Sequence, residues 1–195
     1  MDKLKESAEA FALLLTKEYH IKAGRKGNMI EIIIDFKKAD FFHLAGLHKL
    51  KDITSLVSAN ASKEDIFEKI LNEEITYEQL SKSVYFEDVK DRIENLFRLE
   101  FLLDQGRFVF KFCQKKVKGC FIKADYVFYF DNSFPEIYFF IIERNDNIGR
   151  FTGTSFFHRQ DDKYIARQTK YTVLYISKKD ILANEEIILK DNVIK

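Results

Sequence analysis

Two stretches of the chain carry side chains suited to proton transfer on a charged substrate. The first is Phe41-Phe42-His43-Leu44-Ala45-Gly46-Leu47-His48-Lys49-Leu50-Lys51, which holds two of the four histidines and follows the isoleucine-rich run Met29 to Phe36. Imidazole titrates closest to neutral pH, so it can both take and give a proton. A histidine just past a strand end, with lysines close behind, fits a site that cleaves phosphodiesters. The same pattern also fits an ordinary buried helix. The second stretch runs from Gly149 to Lys178. Arg150, Thr152, Thr154 and Ser155 put a guanidinium and hydroxyl donors on one strand, and alternation points Arg150, Thr152 and Thr154 to one face. Such groups suit a phosphate. The following loop offers His158, Arg159, Asp161, Asp162, Lys163 and Tyr164, and Gln168 and Lys170 lead into a further strand.

Each candidate has a plainer alternative. His43 is the first choice for base or acid; the alternative is a core histidine satisfied by a backbone carbonyl. His48 lies five positions on, about 140° round a continuous helix, which predicts separate surroundings for the two rings. That spacing also misses the i, i+4 pattern of a zinc pair. His158 reads more simply as a surface turn residue, and His20 as a cation at a helix C-terminus. Arg150 is the first choice for a phosphate contact, against a solvated strand residue. Thr154 and Ser155 are the hydroxyl donors, although Thr is simply a good strand former. Lys49, Lys51, Tyr164, Gln168 and Lys170 are candidate substrate contacts, or else packing and turn-capping residues. Most of the twenty phenylalanines must be core, so they do not single out a base-stacking platform.

The elements that must position these groups follow from period and punctuation. Residues 2 to 20 read as an amphipathic helix with Leu4, Ala8, Phe11, Leu14, Leu15 and Tyr19 on one face. Lys22 to Asn28 reads as a basic turn around Gly24 and Gly27, residues 29 to 36 as a strand, and Ala39 to Leu50 as a short helix. Ser62 with Asp65, and Thr76 with Gln79, are capping boxes that open helices. A longer helix is expected from about Glu87 to Asp104. The second half alternates: 107–112, 121–130, 136–142, 151–157 and 171–177 read as strands, and Ile181 to Ile188 as a last helix or edge strand. The fold class expected is α+β, N-terminal helices packed on a C-terminal four- to five-stranded antiparallel sheet.

Composition narrows the class. A 195-residue chain that is 46% hydrophobic, with one proline and seven glycines, is expected to be one domain without long linkers. No apolar run approaches the roughly 20 residues of a membrane span, and the charged N-terminus lacks an apolar signal core, so cytoplasmic residence is the expectation. Cys113 and Cys120 are expected as free thiols, and no second Cys or His pair completes a metal site. The net charge of +1 argues against a dedicated sequence-independent nucleic-acid binder. The charge is uneven, however. No acidic residue falls between Gln105 and Ala124, where Arg107, Lys111, Lys115, Lys116, Lys118 and Lys123 lie, while acidic residues gather between Glu64 and Glu100.

Taken together, His43-Leu44-Ala45-Gly46-Leu47-His48-Lys49-Leu50 and Ser155-Phe156-Phe157 … Asp162-Lys163-Tyr164 … Gln168 … Val173-Leu174-Tyr175-Ile176 resemble the phage-associated nucleases of the barnase, EndoU, colicin and RelE-like fold. The resemblance spans roughly residues 5 to 180. It implies a single domain over 1–195 with a helical insertion at about 62–104. It also implies a metal-independent ribonuclease of toxin or phage-defence type, needing no cofactor. Attack of a ribose 2′-OH on the adjacent phosphate would leave a 2′,3′-cyclic phosphate. That reaction needs a base, an acid and stabilisation of the phosphorane charge, roles that fall to His43, Arg150, Thr154 and Ser155. RNA is then the substrate, and the acidic region 64–100 a docking face for a neutralising protein partner. The competing reading is a non-catalytic module that binds RNA or a phage or host protein, favoured by the near-neutral charge and the lack of an unambiguous triad.

Overall fold

The computed structural model describes residues 2–57, 61–131, 133–145 and 147–193. In chain order the helices are α1 (Lys3–Leu14), α2 (Lys38–Leu44), α3 (Thr54–Val57), α4 (Lys63–Leu71), α5 (Tyr77–Ser81), α6 (Lys90–Asn95) and α7 (Leu99–Asp104). The strands are β1 (Lys17–Arg25), β2 (Asn28–Asp35), β3 (Phe108–Lys111), β4 (Tyr126–Phe130), β5 (Ile137–Arg144), β6 (Asn147–His158), β7 (Thr169–Asp180) and β8 (Glu185–Asp191). Both capping boxes form as the sequence predicts, Ser62 with Asp65 opening α4 and Thr76 with Gln79 opening α5.

The sheet overturns the expected open antiparallel arrangement of four or five strands. Seven strands close into a barrel in the order β1-β2-β6-β5-β4-β3-β7, with β7 pairing back onto β1, and β8 adds to β7 outside the ring. The pairings are antiparallel except β2–β6, which is parallel and joins only at Ile33–Arg150 and Ile34–Phe151. The miss begins at α1, which ends at Leu14. From Tyr19 the chain alternates instead, burying Tyr19, Ile21 and Ala23. Lys26 and Gly27 both take positive φ, and that two-residue turn folds β1 back along β2 with Arg25 opposite Asn28. A segment first read as helix and basic turn is thus the strand that closes the barrel.

The period of two splits the apolar side chains between two cores. Phe128, Phe130, Ile137, Phe139 and Phe156 face the helices, where Phe11, Phe41 and Phe67 meet edge to face. Phe110, Val127, Tyr138 and Phe140 face a smaller core that also holds Phe112 and Val117 from the loop after β3. Cys113 and Cys120 in that loop are free thiols. No helix among the described residues is long and apolar enough to cross a membrane.

Candidate active site

Two close approaches bring the first chemical stretch onto the second. At Gly153, in the middle of β6, a Cβ would lie 2.7 Å from the Phe139 ring and 2.9 Å from the Leu44 side chain. The bare backbone there lets α2 lie down on β6. Gly46, just past α2, takes a φ of +77° and ends the helix; a Cβ there would lie 2.8 Å from Arg92 Cδ. The left-handed turn at Gly46 breaks the helical phase. His48 then falls on a 3-10 turn, Leu47–Lys49, and its ring centroid lies 5.5 Å from that of His43. The two histidines share surroundings, contrary to the continuous-helix expectation.

They open on a cleft of about 950 Å³, whose lining also includes Arg92, Ser155, Phe157, His158 and Tyr164. Three of the chain's four histidines therefore line one cleft. His43 Nε2 lies 2.8 Å from Lys63 Nζ. An ammonium only donates, so this ring is neutral with its proton on Nδ1. Burial, and then repulsion from Lys63, lower the His43 pKa. His48 is exposed at the cleft, and desolvation by its neighbours pushes its pKa down to about 4. Repulsion from His43, Arg92 and Lys49 acts in the same sense. Burial also lowers the Lys49 ammonium.

At the end of β6, His158 Nδ1 meets Asp91 Oδ2 at 2.7 Å. A carboxylate accepts, so Nδ1 carries hydrogen and Nε2 is left for other work. Arg92, on α6, is only 9% exposed. Its guanidinium donates to Ser155 Oγ at 3.2 Å and lies 5.2 Å from the Phe157 ring centroid. Burial pushes its pKa down to about 10, so it stays a cation at neutral pH, and it makes no ion pair among the described residues. A buried guanidinium with no bonded carboxylate, facing a cleft that Asp88 and Asp91 also line, can take an anion. No group of three or more His, Cys, Asp or Glu side chains among the described residues converges to hold a metal ion.

A family model described as phage-Barnase-EndoU-ColicinE5/D-RelE like nuclease4 matches residues 3–193. The chain belongs to this nuclease family. No curated protein and no solved structure matches it. Against that identity, the cleft collects His43, Lys49, Thr154, Ser155 and Tyr164 from the expected residues of this nuclease. The Ser155 hydroxyl receives Arg92, and Thr154 Oγ1 donates to the Phe140 carbonyl at 3.4 Å. Strand pairing shifts between Phe140–Ser155 and Ile141–Gly153, so Thr154 is the extra residue of a bulge. The bulge resets the alternation: Thr152 and Ser155, opposite Ile142 and Phe140, share a face instead of Thr152 and Thr154. The Thr152 hydroxyl, also on the cleft, is buried without a hydrogen-bond partner among the described residues.

The other expected residues stand elsewhere. Arg150 does not line the cleft; its guanidinium is bound to Glu18, and to Asp35 at 3.1 Å. Gln168 clamps the backbone of Cys113, accepting from its N–H at 3.0 Å and donating to its carbonyl at 3.2 Å. Lys170 Nζ sits 3.4 Å from the Phe108 ring centroid, and Lys51 is exposed in a turn outside the cleft. Arg92 and His158 take the places that Arg150 left. Arg92 has a sequence signal: it lies three after Val89 and four before Leu96, on the apolar stripe of its segment, where a lone cation needs a reason. His158 has none, because its partner Asp91 lies 67 residues away.

Proposed function

We propose that the chain is a ribonuclease that cuts RNA by attack of a ribose 2′-OH on the adjacent phosphate, without a metal ion. The observation that carries this reading is the convergence of His43, His48, His158 and Arg92 on one cleft. The His43–His48 pair supplies the base, since both rings are neutral with lowered pKa values. As the 2′-oxygen bonds to phosphorus, its proton passes to an imidazole of this pair. Arg92 holds the charge that grows on the non-bridging oxygens, with the Ser155 hydroxyl beside it. The P–O5′ bond breaks as protonated His158, oriented by Asp91, gives its proton to the leaving oxygen. The products are a 2′,3′-cyclic phosphate and a 5′-hydroxyl.

The family supports the nuclease class, and the choice of RNA rests on the two-histidine chemistry. As a toxin or phage-defence effector the protein is expected to arrest growth when expressed. The test is an RNA oligonucleotide beside its 2′-deoxy counterpart, with and without a chelator. Expected are cyclic-phosphate ends from RNA alone, undiminished by the chelator. His48→Ala or His158→Ala should lower kcat/KM by about 10²–10⁴-fold. Equal cutting of DNA, or loss of activity with the chelator, overturns the reading.

A further inference from the structure

The loop between β3 and β4 reaches the same cleft with groups that the proton transfers above do not use. It is held from both ends. Phe112 and Val117 are buried beneath it, Gln168 clamps Cys113, Gln114 Nε2 donates to the Cys120 carbonyl at 2.8 Å, and Lys116 Nζ donates to the Arg167 carbonyl at 3.1 Å. A loop so pinned nevertheless leaves Phe121 91% exposed. Leaving a phenyl ring in water forgoes a burial that most phenylalanines of this protein achieve. Phe134 is as exposed, but only Phe121 of the two lines the cleft, with Lys123 beside it.

Size points the same way. Small-molecule clefts run from about 300 to 1,000 Å³, and this one, at about 950 Å³, holds more than the one ribose-phosphate unit that reacts. An exposed ring next to a lysine, on a run of chain without acidic residues, is the combination that binds single-stranded nucleic acid. The ring stacks on any base, and the ammonium meets the backbone phosphate.

We infer that Phe121 and Lys123 form a subsite for the nucleotide flanking the scissile phosphate, with Phe121 stacking on its unpaired base. This rests on the ribonuclease reading. It makes the substrate an unpaired RNA segment, because a base inside a duplex does not offer its face. It also separates the stacking work from the proton transfers, since Phe121 has no group that titrates.

The test uses the full chain and two measurements. Binding is read by anisotropy with an RNA oligonucleotide made uncleavable by a single 2′-deoxy sugar. Cleavage is read with the all-ribose version. Phe121→Ala is expected to weaken binding and raise KM by about tenfold, with kcat and the thermal midpoint unchanged, and Phe121→Trp is expected to restore both. Replacing the flanking nucleotide by an abasic one should weaken wild type equally and leave Phe121→Ala unaffected. If wild type binds and cuts but Phe121→Ala matches it, the subsite is wrong and the ribonuclease reading stands. If binding depends on Phe121 and the flanking base but no RNA is cut, the ribonuclease reading fails and takes the scissile-phosphate assignment with it, and Phe121 is a stacking site for an unpaired base in a binding protein. If wild type does not bind RNA, the subsite falls too, and the exposed ring serves a different partner.

Discussion

Lys63 faces His43 across 2.8 Å and adds to burial in keeping the cleft's imidazoles neutral. Burial first, and then the neighbouring ammonium, hold the His43 pKa below its ordinary value, and Lys63 adds a smaller push on His48. A base works only when neutral, so a lowered pKa carries activity down to more acidic pH. Lys63→Met removes the repulsion, the histidine pKa values rise, and the acid limb of the kcat/KM profile moves to higher pH. Activity near pH 5 should fall while the plateau above neutrality changes little; a pH–rate series on an RNA oligonucleotide checks it. An acid limb that stays in place would mean that neither His43 nor His48 is the base. None of this was legible in the spacing of His43 and His48. Their five-residue separation predicts opposed rings only if the helix continues, and Gly46 stops it.

At the scale of elements, the site depends on α2 lying against β6, and Gly153 is where they touch. Replacing glycine by alanine in a strand is ordinarily favourable by about 0.5–1 kcal/mol. Here the new Cβ would strike a buried ring and a buried leucine, and overpacking costs about 1–3 kcal/mol, so the penalty wins. Gly153→Ala is expected to destabilise the fold by about 1–2 kcal/mol in urea unfolding. It should also lower kcat/KM, since α2 carries His43. Much of the element list was legible: the two capping boxes, the isoleucine-rich β2 and the alternating Phe-rich strands form where their patterns place them, except that the strand expected from 121 begins only at Tyr126. The expected helix from Glu87 to Asp104 instead breaks into α6 and α7 joined by a 3-10 turn, Leu96–Arg98. The break leaves Phe97 and Phe101 largely outside, at 42% and 59% exposed.

For the molecule as a whole, the barrel has a thin seam where β2 meets β6 through two residue pairs. A chain of charges crosses it. His20 bonds Glu18, Glu18 bonds Arg150, Arg150 bonds Asp35, and Arg144 bonds both Asp35 and Asp40. Burial alone would raise the Glu18 carboxyl, but the bonds from His20 and Arg150 outweigh it and hold the pKa below the usual value. A carboxylate with a depressed folded pKa stabilises above its unfolded pKa, and that stability is lost as pH falls through the folded one. Arg150→Met should therefore cost about 1–3 kcal/mol at neutral pH, between an exposed and a buried pair, and much less in acid. KM for RNA is expected to hold in the variant; a rise in KM at unchanged stability would return Arg150 to the substrate.

By itself the sequence determined the nuclease family, two stretches that supply side chains to the cleft, and most of the strands and capped helices. These are local properties, written in period, caps and turn residues. Only the tertiary structure decided that the sheet closes, that His48 joins His43, and that Arg92 and His158 stand in the cleft while Arg150 ties the seam. Apart from the Gly46 turn that brings His48 to His43, those depend on contacts between residues far apart in the chain. A local pattern can flag Arg92 as a cation on an apolar stripe but cannot name its partner, because a guanidinium is bound by whichever carboxylate or hydroxyl the fold brings within reach.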